Sequence, residues 1–434
     1  MAQDGETPAV AVPEDTTPET TQQPDQSDEP TTPHKPHAHI TVEDDKPGDE
    51  GVSGTASPGL RNSRGWDGKL RLPKKEDPQP GVVLANPEAL SDPEYSDEDN
   101  VVPGDVILAD EDLLNDEDPD TDEIFATHAR IHSIDALRLE RFPRVQKICL
   151  RQNSIQSLAG LEVLSETLQE LDLYDNLVSH MKGVERLPNL TSLDLSFNKI
   201  KHIKHLAPLA KLVDLYLVAN KIGSVDGLEE AAAATLRMLE LGSNRIRSIA
   251  PLGGFGFVAL EELWLAKNKI TSLEGLAGLP KLRLLSIQSN RLRDLSPLKD
   301  VPTLEELYVS HNALESLKSL RGEVGEPDEA GEATTEKAGS STLPLLRVLD
   351  VSHNQIKSFS GTEHLSALEE VWASYNQVAD FGDVERCLRD KTKLETVYLE
   401  GNPLQLRGPA LYRNKVRLTL PQVTQIDATY VRET

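Results

Sequence analysis

Leu190-Thr191-Ser192-Leu193-Asp194-Leu195-Ser196-Phe197-Asn198-Lys199-Ile200-Lys201-His202-Ile203 is the stretch that decides how this chain folds. Leu190, Leu193, Leu195, Asn198, Ile200 and Ile203 form a fixed frame, and the positions between them vary from copy to copy. The frame returns eleven times, with its asparagine at Asn153, Asn176, Asn198, Asn220, Asn244, Asn268, Asn290, Asn312, Asn354, Asn376 and Asn402. The intervals 198−176, 220−198, 290−268 and 312−290 are all 22 residues. Units this short cannot bury an apolar face alone; they bury it against one another, as a solenoid.

In Leu-x-x-Leu-x-Leu, alternate side chains of a short strand point inward, at a period of two. Leu193 and Leu195 therefore face the core, while Asp194 and Ser196 face out. The asparagine leaves the strand and turns inward, where its amide can satisfy backbone groups that the turn leaves unpaired. Ile200, Ile203 and Leu206 then fill the core beneath the outer arc. With 22 residues per unit, the outer arc has room only for short helical turns. The fold class is α/β: a right-handed leucine-rich-repeat solenoid, with a curved parallel sheet on its concave face and short helical turns on its convex face. Truncating one core leucine to alanine is expected to cost about 2–5 kcal/mol.

The rest of the chain divides around this array. Residues 1–120 are rich in Pro, Asp, Glu, Thr and Gly without apolar periodicity, and read as a disordered acidic tail. Within it, Val106, Ile107, Leu108, Leu113 and Leu114 sit among acids, as tail or as a segment docked on the first repeat. Residues 121–144 read as an N-terminal cap or half repeat, since Ala129, Ile131, Ile134 and Leu137 match the second half of a unit. The repeats occupy 145–407 and are interrupted by an acidic, Gly-rich loop at 321–343, where the interval 354−312 is 42 residues. Closure entropy rises only slowly with loop length, so a solenoid tolerates this excess on its convex or edge side. Residues 408–434 read as a C-terminal cap: Tyr412, Val416, Leu418 and Leu420 suggest an amphipathic helix stopped by Pro421.

The 434 residues carry 45 basic and 72 acidic side chains, a formal net charge of −27. Such a balance speaks against nucleic acid as a direct partner. Cys149 and Cys387 are the only cysteines, which suits a reducing compartment without a disulfide. The acidic start, Met1 to Glu6, has no apolar run, so no secretory signal is expected. No apolar stretch approaches the roughly 18–20 residues of a membrane span. Gly-rich phosphate loops, Cys-x-x-Cys pairs and His-Glu-x-x-His are absent, so no catalytic residue, metal ligand or cofactor is assigned. His34, His37 and His39 cluster in the tail, and Ser96 stands in an acidic context suited to an acidophilic kinase. Ser310-His311 and Ser352-His353 are solvent-facing turn positions by register, not nucleophile–base pairs.

Function then has to lie in residues that the core does not require. The outward position between the last two apolar residues of each strand reads Cys149, Asp172, Asp194, Tyr216, Glu240, Trp264, Ser286, Tyr308, Asp350, Trp372 and Tyr398. Aromatic residues make up 4% of the chain, yet two of its three tryptophans and three of its eight tyrosines stand in this column. A neighbouring column adds Glu170, Asp214, Glu262, Glu306 and Glu370. Exposed indoles and phenols beside carboxylates are what interface anchors look like. Eleven strands about 4.8 Å apart span roughly 50 Å, the track of a globular partner with basic and apolar features.

The repeats, the stretch Leu239-Glu240-Leu241-Gly242-Ser243-Asn244-Arg245-Ile246 and the run Cys149-Leu150-Arg151-Gln152-Asn153 resemble the leucine-rich-repeat regulatory subunits of protein phosphatase 1, the regulatory subunit 7 family. So does Leu394-Glu395-Thr396-Val397-Tyr398-Leu399-Glu400-Gly401-Asn402-Pro403-Leu404, followed by Gln425-Ile426-Asp427-Ala428-Thr429. The likeness runs from about residue 124 to the end. It implies a non-catalytic subunit that binds the catalytic subunit of the type-1 serine/threonine phosphatase through its concave face, in nucleus and cytoplasm. It also implies a role in mitosis and chromosome segregation or in phosphatase maturation, with a further phosphatase inhibitor protein as a candidate partner and no nucleic acid or membrane. The family's binding residues correspond to Asp194, Glu240, Asp350, Glu370, Trp372 and Tyr398. Tyr216 and Trp264 stand where the family tends to have phenylalanine, and join them as partner-binding residues. The alternative is a leucine-rich-repeat scaffold of the spliceosomal or axonemal type.

Overall fold

The computed structural model describes residues 110–231, 233–321 and 342–431. The expected tail before residue 110, with His34, His37, His39 and Ser96, lies outside them, as does the loop at 322–341. Fourteen strands among the described residues form one sheet in sequence order. β1 (Glu123–Phe125) belongs to the cap; β2 (Lys147–Cys149) to β12 (Thr396–Tyr398) carry the eleven asparagine-bearing repeats. Each pairs in parallel with the next, in a register that never slips. The middle residue of each of β1 to β12 is buried and its neighbours face the other side, which is the period-two pattern of a half-buried strand. Single 3₁₀ turns cover most of the convex side.

The asparagines tie one unit to the next. Asn198 Oδ1 accepts the N–H of Val178 at 2.9 Å, one repeat earlier. Its amide donates to the carbonyls of Leu173, Leu195 and Ser196 at 2.9, 3.1 and 3.0 Å. The pattern recurs from Asn153 to Asn402, the latter without the third donation. The residue before each asparagine is left-handed: Gln152, Asp175, Phe197, Ala219, Ser243, Lys267, Ser289, His311, His353 and Tyr375 have φ of 53–56°, and Gly401 has 72°. Such a conformation costs an L-residue roughly 1–2 kcal/mol. The asparagine bonds on both sides of it hold it in place.

The tail does not run to residue 120: residues 110–120 take the docked alternative and pack on the cap. Leu114 is buried, Asp110 Oδ2 accepts the N–H groups of His132 and Ser133 at 2.9 and 3.0 Å, and Arg141 donates to Asn115 at 2.9 Å. Beside the expected short turns, the convex side carries a short α-helix. The interval 402−376 is 26 residues, and the excess forms α1 (Phe381–Leu388), capped by Asp380 accepting from the Gly382 N–H. In the C-terminal cap, after the short α2 (Pro403–Leu406), α3 (Pro409–Thr419) buries Tyr412 and Val416, but Leu418 is 77% exposed, because it falls on the opposite side of the helix. Ser196 and Ser310 are buried and not outward, because the strands end at Asp194 and Tyr308 and the alternation does not extend to them; Ser196 Oγ accepts the Val218 N–H of the next repeat at 3.2 Å.

The C-terminal end closes the sheet by a device of its own. β13 (Gln425–Ile426) adds in parallel to β12, and β14 (Thr429–Tyr430) folds back antiparallel. Asp427 Oδ1 accepts the N–H groups of Leu399 and Glu400 at 2.9 and 3.1 Å and the Tyr412 hydroxyl at 3.2 Å. In the repeats before it the N–H equivalent to that of Leu399 goes to a backbone carbonyl of the next strand, as Ala373 N–H does to Tyr398, so Asp427 stands in for the strand that a further repeat would have added. Among the described residues, no helix is long and apolar enough to cross a membrane.

Candidate functional site

Because each of β1 to β12 has three residues and the middle one is buried, the first and third form two columns on the concave face. The parallel register sets Asp194, Tyr216, Glu240, Trp264, Ser286, Tyr308, Asp350, Trp372 and Tyr398 directly beside one another. Glu370 stands in the first column, two residues before Trp372 on the same strand. All eight sequence-assigned binding residues thus share one face.

The aromatic groups cluster at its C-terminal half. Trp372 meets Tyr398 with ring centroids 5.7 Å apart at 64°, and Tyr308 at 6.1 Å and 63°, both edge-to-face. Such pairs are worth about 0.5–1.5 kcal/mol beyond the area they bury. Asp350 lies between Tyr308 and Trp372 in register, and at 6% exposure it sits below their rings rather than in the open. Its Oδ1 accepts the Ser352 N–H at 2.9 Å. Ser286 is similarly sunken, at 2%.

A Glu-x-aromatic pattern fixes three of the rings. Trp264 Nε1 donates to Glu262 at 3.1 Å, Trp372 Nε1 to Glu370 at 2.9 Å, and the Tyr308 hydroxyl to Glu306 at 2.8 Å. The two residues are i and i+2, so they point to the same side of the sheet. This bond restrains the ring and leaves part of the carboxylate open to a partner. Tyr398 is held differently, by Gln425 Nε2 donating to its hydroxyl at 2.9 Å. Sequence reasoning did not connect Gln425 to the site, because only the added strand of the cap brings it there.

Charge accumulates on this face. Burial, followed by the negative charge of Asp194, raises the Glu240 pKa above the ordinary carboxylate value. Burial also raises Asp194, against the N–H bond it accepts from Ser196, and raises Asp214. Burial raises the Tyr308 phenol too, reinforced by its bond to Glu306. At the N-terminal end Arg151 pairs with Asp172 and lies 3.7 Å from Asp194. Carboxylates that are half-buried and mutually repelling gain most from an incoming cation. Among the described residues no cluster of His, Cys, Asp or Glu is arranged to hold a metal.

These features define a class: a leucine-rich-repeat solenoid with an acidic, aromatic concave face. A leucine-rich-repeat family model matches residues 166–222 and 234–292, and a second matches 342–358. Among relatives, the chain is similar to protein phosphatase 1 regulatory subunit SDS22 of Schizosaccharomyces pombe, at 57% identity over 70 residues, 16% of this chain and 21% of the relative. It is 41% identical over 90 residues to the protein of that name in Saccharomyces cerevisiae, 20% of this chain and 27% of the relative. It is 64% identical over 45 residues to protein phosphatase 1 regulatory subunit 7 of Mus musculus, 10% of this chain and 12% of the relative. The matched stretches therefore span about a quarter or less of these relatives. Of solved structures, an internalin of Listeria monocytogenes is similar at 22% identity and a TM-score of 0.52, over 75% of this chain and 90% of the other. A leucine-rich-repeat protein of Leptospira interrogans gives 22% and 0.50, over 68% and 74%. Those likenesses concern the fold alone. The sequence resemblance to the leucine-rich-repeat regulatory subunits of protein phosphatase 1 holds.

Proposed function

We propose that this chain is a non-catalytic regulatory subunit whose concave face binds the catalytic subunit of a type-1 serine/threonine protein phosphatase. The observation that carries the reading is the unbroken concave column from Asp194 to Tyr398, in a chain similar to proteins named for regulating that phosphatase. Glu240, Asp194 and Glu370 recruit basic groups of the partner. Trp264, Trp372 and Tyr398 supply large, restrained apolar surface, the kind of residue that dominates interface energetics. Tyr216 adds a phenol between Asp194 and Glu240. Binding in this way controls phosphatase activity, maturation or targeting, in nucleus and cytoplasm, during mitosis and chromosome segregation. A phosphatase inhibitor protein is a further candidate component of the complex.

Purifying the full chain from cells and identifying its stoichiometric partner tests this reading. A type-1 phosphatase catalytic subunit is expected. An RNA-dependent spliceosomal assembly or an axonemal motor in its place would overturn the reading and favour the scaffold class.

A further inference from the structure

The position after each repeat asparagine points outward, between the inward asparagine and the inward aliphatic residue that follows. In five successive repeats it holds Lys199, Lys221, Arg245, Lys269 and Arg291. Their backbones are locked into one file. Each N–H donates to the inward aliphatic residue of the preceding repeat: Lys199 to Val178, Lys221 to Ile200, Arg245 to Ile222 and Lys269 to Ile246 at 2.8 Å, and Arg291 to Ile270 at 2.9 Å. Four of the five are exposed and Lys269 is half-buried. None of them makes an ion pair or a side-chain hydrogen bond among the described residues. Two positions further on, Lys201, Arg247 and Arg293 add a second exposed basic row. The file is bounded by Leu177 before it and Ala313 after it.

Another column of the same solenoid shows how charge is handled when only stability is at stake. Arg237, Glu261, Arg283, Glu305, Arg347 and Glu369 stand in successive repeats and alternate in sign. Arg237 pairs with Glu261 at 2.8 Å, Arg283 with Glu305 at 2.8 Å and Arg347 with Glu369 at 3.4 Å. Like charges held side by side in adjacent repeats repel one another. Five in a row is a cost that no internal partner offsets, on a chain whose net charge of −27 already secures solubility.

We propose that this basic file is a second interaction surface, and that it takes an extended acidic segment of a partner protein. Four inter-repeat steps of about 4.8 Å make it roughly 20 Å long, which matches about six residues of extended chain. Leu177 and Ala313 limit it to that length. A continuous polyanion such as RNA would overrun both ends, where Asp175 and Glu315 stand. The surface is distinct from the concave columns, and nothing in its case depends on the phosphatase reading.

The test uses the full chain and a fluorescein-labelled peptide of alternating Asp and Glu, followed by anisotropy at low salt. A neutral Asn/Gln peptide and single-stranded RNA of equal charge serve as comparators. The combined variant Lys199→Gln, Lys221→Gln, Arg245→Gln, Lys269→Gln and Arg291→Gln removes the five charges, four of them on exposed side chains. The acidic peptide is expected to bind the unaltered chain above the neutral one, and the variant is expected to lose about tenfold or more of that affinity. Trp372→Ala is expected to bind it as the unaltered chain does. Equal binding by the variant, no preference over the neutral peptide, or tighter binding of RNA would overturn the proposal. Self-association that the variant abolishes would assign the file to a second copy and overturn it equally.

Discussion

Asn220 Oδ1 takes the backbone N–H of Ile200 at 2.9 Å, from the preceding repeat. Its amide meanwhile donates to the carbonyls of Leu195, Leu217 and Val218 at 2.9, 3.2 and 3.2 Å. One side chain thus satisfies backbone groups in two units. Asn220→Ala leaves them buried and unpaired, which costs about 1–3 kcal/mol. Urea unfolding should register that loss. A change within about 0.5 kcal/mol, the usual size of a surface effect, would contradict it.

The frame was legible because its cause is local. Leucine at period two and asparagine at a fixed offset fill the same places in every unit, so Leu193, Leu195 and Asn198 declare their positions without any tertiary knowledge. The left-handed residue before each asparagine was not legible, because Gln152, Phe197, Ala219 and Lys267 carry no shared signature. That conformation is imposed by the bonds around it and not by the residue. α1 was hidden for a related reason: its eight residues fit inside an interval only four longer than the repeat. In the site, the outward column followed from alternation alone. The sinking of Asp350 under Tyr308 and Trp372, and the hold of Gln425 on Tyr398, depend on neighbours that only the stacked sheet supplies.

Gly227 and Gly223 lie four residues apart and should respond oppositely to alanine. Gly227 has φ +94°, and a Cβ there would lie 1.9 Å from the Ile203 carbonyl oxygen. Gly227→Ala is expected to cost at least about 1–3 kcal/mol from the backbone conformation, with the clash in addition. Gly223 has nothing within 4 Å of such a Cβ. Gly223→Ala should be neutral or stabilising by up to about 1 kcal/mol, through the unfolded chain. Thermal unfolding of the two variants compares them; equal melting temperatures would refute the assignment.

Cys387, on α1, is a free thiol that burial pushes up from 9.0 to about 11, helped by the nearby carboxylates of Asp383 and Glu363. Its folded value exceeds its unfolded one, so the folded state keeps its proton longer. The stability this contributes is complete below pH 9 and is lost as pH rises towards about 11. Urea midpoints measured from pH 8 to 11 should therefore fall more steeply for the unaltered chain than for Cys387→Ala. Parallel curves would show that the thiol does not titrate as described.

The concave face is the centre of the functional account, and Trp372 is its most connected ring, touching Tyr308, Tyr398 and Glu370. Calorimetric titration of the full chain with a type-1 phosphatase catalytic subunit tests the claim directly. Trp372→Ala should weaken binding by about thirtyfold or more, the signature of an interface anchor worth at least about 2 kcal/mol. Leu418→Ala, on the 77% exposed position of α3, should leave affinity unchanged. Full affinity in Trp372→Ala, or no binding by the unaltered chain, would contradict the account.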